Sequence, residues 1–308
     1  MRGKISDLLT AREASQLLNT NEKKVYSLAQ EGKLPGTKVT GKWIFPRPEL
    51  EEYLRLMAQQ TLRRSFFESV IDRKVILACG SDDPVLCMAQ GFFHKENPGY
   101  TFFSSSVGSG EGLRLLGEGF CHIAVCHLYD PDADDFNFPF LERYVGSTDT
   151  VTLVNLFYRR VGFAAKDREV TSFSELIDRN LRFVNRQSGS GIRALVDHLI
   201  ETEGVPVSDI KGFEDEAFTH LDVINHISSD RADAGIVAEA VASGANLPFY
   251  TILEERFDMV VRKEIFFDKN IQVFVEFLRS ERFRELLKNM RGYNSRDTGK
   301  IIYAKTKE

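Results

Sequence analysis

Residues 6–54 read SDLLTAREASQLLNTNEKKVYSLAQEGKLPGTKVTGKWIFPRPELEEYL, and this stretch predicts a small helical module. Thr10, with Glu13 three positions later, has the pattern of a capping box, so a short helix should begin between them. Asn21 supplies a second N-cap, and Gly32 ends the helix that it opens. The sequence therefore predicts two short helices joined by a tight turn.

A hairpin and a third helix complete this module. Residues 38–45 alternate in character around Thr40-Gly41, which favours a two-stranded hairpin. Residues 49–57 then space their apolar side chains as one helix face does. We expect the module to occupy residues 1–57 and a linker to follow at residues 58–71. Residues 58–65 should continue the closing helix into this linker or into a dimer contact.

These features, in this order, resemble the DNA-binding domains of the excisionase and MerR-like families, which are winged helix-turn-helix modules. The resemblance implies double-stranded DNA as a partner. The alternative is that the module only decorates a larger domain and that its lysines are solvated. The implied DNA-contacting residues are Lys23, Lys24 and Tyr26 on the second helix, and Lys38, Lys42 and Arg47 on and beside the hairpin.

The distribution of charge separates this module from the rest of the chain. Residues 1–64 carry 12 Lys and Arg against 7 Asp and Glu, a balance of +5, whereas residues 65–308 carry 28 against 38, a balance of −10. Binding to phosphates needs clustered cations. Nucleic acid is therefore expected to bind the first module and to be repelled by the remainder.

The composition is that of an ordinary globular protein, with 43% hydrophobic and 28% charged residues among 308. The N-terminal residues lack the pattern of a secretion signal, and no run approaches the roughly 20 apolar residues of a membrane span. We therefore expect a cytoplasmic protein without membrane contact. The cysteines lack zinc or disulfide spacing, which predicts no metal and four buried, reduced thiols: Cys79, Cys87, Cys121 and Cys126.

From residue 74 onward, short apolar strands alternate with helices, which predicts an α/β domain with parallel strands. Several strands end in turns rich in glycine and serine, and residues 185–193 form the richest of them. One such turn alone more often serves turn geometry than ligand binding. Turns at the carboxyl ends of parallel strands share one edge of the sheet, however, where helix N-termini suit an anion.

The turns also resemble those of the type II periplasmic-binding-protein fold, and within it the cytoplasmic domains related to molybdate and tungstate receptors. The resemblance runs from about residue 74 to the end and rests on motifs such as Gly80-Ser81, residues 105–109, residues 185–193 and residues 231–235. Relatives of this kind usually carry Thr where this chain has Ile192. One side-chain donor is therefore missing, or the ligand differs.

This resemblance implies a two-lobed domain over residues 72–308 that closes on its ligand. Strands at residues 151–165 and 257–262 would cross between lobe one, about 72–150 and 257–308, and lobe two, about 160–250. The implied ligand-binding residues are Ser81, Ser106, Ser109 and His127 from lobe one, and Asn185, Ser188, Ser190, Arg193 and Thr219 from lobe two.

We therefore predict a homodimeric transcription regulator that binds DNA and senses a small oxyanion, molybdate or tungstate, without a cofactor. A second possibility is a sensor of another small metabolite. A third is a serine hydrolase, in which His220 and Asp222 would pair with Ser190. The chain lacks a complete Gly-x-Ser-x-Gly elbow, a P-loop and a dinucleotide fingerprint, so we predict that it is not an enzyme.

Overall fold

The computed structural model describes residues 7–303, apart from the side chains of residues 60, 63, 64 and 66–68. The chain divides into two compact units, residues 1–66 and residues 67–308. The fold is mixed α/β, as predicted, and the two units have separate architectures.

The first unit contains the predicted helix-turn-helix and hairpin. Both sides of the capping box at Thr10 and Glu13 form, and the Asn21 side chain accepts from the amide of Lys24 at 2.9 Å. In chain order the elements are β1 (Leu8–Leu9), α1 (Ala11–Leu17), α2 (Glu22–Gln30), β2 (Thr37–Val39), β3 (Lys42–Pro46) and α3 (Arg47–Asp72), which ends beyond residue 66. The three strands form a sheet in the order β1-β3-β2.

Helix α3 extends through the whole segment that was predicted as a linker. We expected the closing helix of residues 49–57 to continue over residues 58–65 into a linker, and the helix runs without interruption to Asp72. The stretch contains no glycine, and its single proline, Pro48, lies in the first turn, where the missing N–H would have no helical partner. The predicted linker is therefore helical.

The second unit begins with lobe one, whose strands and helices alternate. The C-terminal segment, residues 263–303, also belongs to lobe one. Its first elements are β4 (Val75–Gly80), α4 (Pro84–Glu96), β5 (Thr101–Ser106), α5 (Ser109–Glu118), β6 (Ile123–Cys126), β7 (Tyr129–Asp130), β8 (Asp135–Phe136), the 3-10 turn Phe138–Phe140, α6 (Leu141–Val145) and the 3-10 turn Thr148–Thr150.

A long strand, β9 (Val151–Ala165), leads from lobe one into lobe two, and a second long strand leads back. Lobe two contains α7 (Phe173–Asp178), β10 (Phe183–Arg186), α8 (Gly191–Glu203), the 3-10 turn Val207–Asp209, β11 (Glu216–Ala217), α9 (His220–Ser228), β12 (Ala234–Ala238) and α10 (Glu239–Gly244). The returning strand is β13 (Phe249–Arg262), followed by α11 (Lys263–Phe266), α12 (Lys269–Arg279), α13 (Glu281–Lys288), β14 (Tyr293–Asn294) and β15 (Ile301–Tyr303).

Strands β9 and β13 join the two lobes. They pair antiparallel along almost their whole length, and β13 also pairs with β6 of lobe one while β9 pairs with β12 of lobe two. Each lobe also has three parallel strands, β5-β4-β6 in lobe one and β11-β10-β12 in lobe two. The short strands β14 and β15 pair antiparallel with β9, and β7 pairs antiparallel with β8. The predicted crossing at residues 151–165 and 257–262 is confirmed, although the second strand starts earlier.

Each lobe buries apolar side chains on both faces of its part of the sheet. In lobe one, Phe102, Phe274 and Phe93 pack together, with ring centroids 4.5 and 5.3 Å apart. In lobe two, Phe173 lies between Phe163 and Phe183. Each lobe therefore has its own core, and the lobes meet at the shared strands and at the edge where the parallel strands end.

Candidate ligand cavity between the lobes

A small cavity lies between the lobes, at the carboxyl ends of the parallel strands. It encloses about 270 Å³ when its open mouth is included. This position is the one expected for a ligand in an open α/β sheet. The residues that line it are Ser81, Asp82, Ser106, Gly108 and His127 from lobe one, and Arg186, Gln187, Ser190, Ile192, Phe218 and His220 from lobe two.

Lobe one contributes hydroxyls to the cavity. Ser81 follows β4, and its Oγ lies 2.5 Å from the Oγ of Ser109, the first residue of α5. Ser109 is fully buried and also accepts a hydrogen bond from the backbone amide of His127. It therefore fixes Ser81 and His127 in place, whereas Ser81, Ser106 and His127 themselves line the cavity.

Lobe two contributes two helix N-termini. Ser190 caps α8 by accepting from the amide of Arg193, and Thr219 caps α9 by accepting from the amide of Asp222. Each N-terminus carries a partial positive charge that favours a nearby anion by about 0.3–1 kcal/mol. With α5 of lobe one, three helices begin beside the same cavity.

Arg186 is the buried cation of the cavity. Its guanidinium donates to the backbone oxygens of Ala217 and Phe218 and to the side chain of Gln187. Burial lowers the pKa of Arg186 to about 10, so the group is charged at neutral pH. Asp82, across the cavity, opposes this shift by its negative charge. A buried cation with neutral partners is suited to bind an anion.

Arg193, which the sequence predicted as the ligand-binding cation, is directed elsewhere. Its guanidinium lies over the ring of Phe213 and pairs with Asp197 at 3.1 Å and Glu216 at 3.3 Å. An arginine on the helix one turn after the cap extends along the helix surface, whereas Arg186, at the end of β10, lines the cavity. The structure therefore places Arg186, and not Arg193, on the wall of the cavity.

Three further predicted residues lie beside the cavity rather than on its wall. Asn185 is buried and donates to the backbone oxygen of Phe213, which fixes the strand end. Ser188 is exposed, and its amide donates to Glu216. Thr219 acts through its cap on α9. These side chains support the turns that carry Arg186, Ser190 and His220.

Sequence reasoning missed Asp82, Arg186 and Phe218 as cavity residues. Asp82 directly follows Ser81, and Arg186 directly follows Asn185, so each lies next to a residue that the sequence predicted to bind ligand. The turns were therefore predicted correctly, but the side chains that line the cavity were not. The signal for Arg186 is its position as the last residue of a buried strand. Phe218 is 66% exposed at the cavity mouth, and nothing in the local sequence distinguishes it.

A chain of buried charges connects the cavity to the shared strands. Arg159 of β9 lies opposite Glu255 of β13, and its Nε donates to the Glu255 carboxylate at 2.5 Å. Its Nη1 donates to Asp83 at 2.5 Å, and the hydroxyl of Tyr293 donates to the same carboxylate at 2.7 Å. Glu255 in turn accepts from Nδ1 of His127 at 2.8 Å. The cavity residue His127 is therefore tied to both shared strands.

The two lobes are in contact around the cavity. A Cβ added at Gly191 of lobe two would lie 2.5 Å from the His127 ring of lobe one, and one added at Gly108 would lie 3.2 Å from the backbone oxygen of Gly189. The carboxylate of Asp82 also accepts from the amide of His220 across the cavity, at 3.3 Å. The structure therefore has its lobes closed.

We expect acid to destabilise the domain through its buried imidazoles. Burial, with repulsion from Arg159 and Arg186, holds the pKa of His220 well below its ordinary value. In the unfolded chain this histidine binds a proton near pH 6.5, whereas in the folded chain it stays neutral. Its contribution to the free energy of unfolding is therefore complete above about pH 6.5 and is lost as the pH falls below that value. His220→Asn, which can keep an acceptor for the Ala238 amide, should show a smaller loss in urea unfolding. Equal pH dependence in both proteins would contradict this.

The residues predicted to contact DNA lie on the surface of the first unit. Lys23, Lys24 and Tyr26 are exposed on α2, whose inner face buries Val25 and Ala29. On the hairpin, Lys38 and Lys42 are also exposed. Arg47 is half-buried and pairs with Glu51 at 3.3 Å.

Two cysteines differ from the sequence expectation, because Cys87 is exposed and Cys79 is only partly buried, whereas Cys121 and Cys126 are buried. The buried face of α4 is formed by Val85, Leu86, Ala89 and Phe93, which directs Cys87 outward. Among residues 7–303, no helix is long and apolar enough to cross a membrane. Within the same described part of the chain, His, Cys, Asp and Glu form no group that could hold a metal ion.

This chain is similar to known proteins in sequence and to solved structures in fold. It is 27% identical over 304 residues to the uncharacterized protein YvgK of Bacillus subtilis (strain 168), covering 95% of this chain and 97% of that protein. An uncharacterized protein encoded in the ferredoxin 2Fe-2S gene 5' region of Clostridium pasteurianum is 29% identical over 109 residues, which are 35% of this chain and 96% of that protein.

Among solved structures, a putative phosphate ABC transporter substrate-binding protein with bound phosphate from Clostridium perfringens has a TM-score of 0.55 at 14% identity, covering 75% of this chain and all of that one (100%). The tungstate ABC transporter structure from Geobacter sulfurreducens has a TM-score of 0.51 at 13% identity, covering 70% and 98%. These likenesses show the two-lobed fold.

Two family matches agree with the two compact units. Residues 8–55 match a helix-turn-helix domain. Residues 90–279, more than half of the chain, match the PBP superfamily domain. Both are families of binding modules, which fits a non-enzymatic regulator or binding protein. The chain therefore belongs to the PBP superfamily and carries a helix-turn-helix domain ahead of its two-lobed body.

Proposed function

We propose that this protein is a cytoplasmic transcription regulator that binds DNA through its first unit and senses a small oxyanion in the interlobe cavity. The observation that carries the proposal is the cavity itself, which joins the buried Arg186 to serine hydroxyls and three helix N-termini. Anion binding between the lobes stabilises their closed arrangement. The shift of the lobes towards this closed arrangement alters how the helix-turn-helix binds DNA.

The chemistry of the cavity supports an oxyanion over an apolar metabolite. Serine hydroxyls and the backbone amides at helix N-termini donate hydrogen bonds to the oxygens of an anion without adding full charges. The guanidinium of Arg186 adds one positive charge and can donate two parallel hydrogen bonds. Molybdate and tungstate are the candidates from sequence resemblance, and the similar structures include one with bound phosphate and one of a tungstate transporter.

A serine hydrolase is the less favoured alternative. The Oγ of Ser190 is engaged as the cap of α8, and Nδ1 of His220 accepts from the amide of Ala238. Asp222 accepts from the amide of Phe218. These contacts assign the three residues to helix capping and to support of the cavity rather than to a nucleophile–base pair.

A thermal-shift panel tests oxyanion binding. Molybdate, tungstate, sulfate and phosphate should each be added to the full chain beside a panel of neutral metabolites. An ion at about one hundred times its Kd stabilises the folded state by about 2.7 kcal/mol, which raises the melting temperature measurably. A shift with neutral metabolites and none with oxyanions would contradict the proposed ligand class.

We expect the DNA contact to depend on the lysines of α2. The double variant Lys23→Ala with Lys24→Ala should bind a random-sequence duplex more weakly and lower the slope of log affinity against log salt by about 2, because each lost phosphate contact removes about one released counterion. Fluorescence anisotropy measures both quantities. Lys95→Ala, on an exposed position of α4, is the matched control and should bind as the wild type does. An unchanged slope in the double variant would contradict the assignment.

We also propose that the regulator acts as a homodimer. One helix-turn-helix contacts too little DNA for high specificity, whereas two can read spaced half-sites. Helix α3 has exposed apolar side chains at Leu54, Met57 and Leu62 that a second copy can cover. Light scattering that shows only monomers, with and without DNA, would contradict the dimer.

A further inference from the structure

The interlobe cavity contains hydrogen-bond acceptors as well as donors, and these acceptors restrict which oxyanion it can bind. The first acceptor is the carboxylate of Asp82, which lines the cavity and receives one hydrogen bond, from the His220 amide. A carboxylate repels a fully deprotonated oxyanion but accepts a hydrogen bond from a ligand that carries an O–H group.

The second acceptor follows from the contacts of His127. Its Nδ1 lies 2.8 Å from the carboxylate of Glu255, which can only accept, so Nδ1 carries the proton. Burial lowers the pKa of His127, and Arg159 with His127 holds the pKa of Glu255 below its usual value despite burial. The ring is therefore neutral, and the nitrogen it can offer to the cavity is an unprotonated Nε2.

His220 has the opposite arrangement. Its Nδ1 receives the backbone N–H of Ala238 at 3.3 Å, and a backbone amide can only donate. Nδ1 is therefore unprotonated, and the neutral ring carries its proton on Nε2. The two histidines that line the cavity thus differ in protonation, with Nε2 unprotonated in His127 and protonated in His220.

We propose that the cavity selects an oxyanion that retains a proton at neutral pH, such as inorganic phosphate or arsenate, over sulfate, molybdate and tungstate, which do not. This inference rests on the proposed function and narrows its ligand class. The oxygens of the ligand accept from Arg186, His220 and the serines, and its O–H donates to Asp82 or His127. A fully deprotonated ion has no proton to donate to Asp82 or His127. Both acceptors then lack a hydrogen bond, which lowers the affinity for that ion.

Phosphate and sulfate provide the sharpest comparison, because both are tetrahedral and similar in size while only phosphate carries a proton. Isothermal titration calorimetry of the wild-type full chain should give a Kd for phosphate at least about 100-fold lower than for sulfate, molybdate or tungstate. Equal affinity for phosphate and sulfate, or tighter binding of molybdate or tungstate, would overturn the proposal without any variant being needed.

Asp82→Asn tests the role of the carboxylate directly. The amide can donate to the ligand, so the preference for phosphate over sulfate should shrink by at least about tenfold. The control is Asp132→Asn, an exposed aspartate outside the cavity, which should keep the wild-type ratio. An unchanged ratio in Asp82→Asn would overturn the assignment of Asp82. If no oxyanion binds the wild type, the proposed function itself falls, an outcome distinct from the loss of selectivity alone.

Discussion

Replacing Arg159 with methionine should lower the free energy of unfolding by about 3–5 kcal/mol, because it leaves two buried carboxylates without their cation. Arg159 is fully buried and donates to both Asp83 and Glu255. Burial raises the pKa of Asp83 even with Arg159 present, so its loss should drive that carboxyl towards its protonated form. Urea unfolding measured by circular dichroism gives the change.

Two comparisons make this test specific. Arg168→Met, at an exposed position of lobe two, should change stability by less than about 0.5 kcal/mol. Adding Asp83→Asn and Glu255→Gln to Arg159→Met should recover part of the loss, because no buried charge then lacks a partner. If Arg159→Met costs no more than Arg168→Met, the buried charges do not hold the shared strands together.

Replacing Arg186 with methionine should weaken oxyanion binding by about 100-fold or more, since removal of a buried cation from an anion costs about 2–5 kcal/mol of binding. Arg186 has only neutral hydrogen-bond partners at the cavity, so its removal also relieves the cost of burying a charge. The free energy of unfolding without ligand should therefore change much less than the binding energy. Calorimetry and urea unfolding separate the two effects.

Arg193→Met is the matched control for Arg186. Its guanidinium pairs with Asp197 and Glu216 instead of lining the cavity, so we expect less than about a threefold change in oxyanion affinity. If Arg193→Met abolished binding and Arg186→Met left it intact, the cation that binds the ligand would be Arg193, as the sequence predicted.

The features predicted correctly from sequence are mainly local ones. The caps at Thr10 and Asn21 depend on side chains within three residues of the backbone groups that they bind, so their patterns are visible in the chain. The parallel strands and the long crossing strand β9 are visible because buried strands form continuous apolar runs. These signals indicated an α/β domain with turns at one edge of its sheet, whereas the two-lobed fold was implied by the resemblance of those turns to the type II periplasmic-binding-protein fold.

The side chains that complete the cavity depend on contacts distant in sequence. Arg186 lines the cavity because β10 ends there, while Arg193 is held by Glu216, 23 residues away. The proton positions on His127 and His220 are set by Glu255 and Ala238, at separations of 128 and 18 residues. No local pattern predicts such pairings, so the identity of the cation and the acceptor groups required the structure.

The most direct test is the DNA affinity of the full chain with and without a saturating oxyanion. The probe is a duplex selected by the protein from a random library, the ions are phosphate and tungstate, and the readout is fluorescence anisotropy at constant ionic strength. We predict that the ion which stabilises the protein also changes the Kd for DNA by about fivefold or more, and that Arg186→Met abolishes this change. An ion that binds in the cavity yet leaves the DNA affinity unaltered would contradict a ligand-responsive regulator.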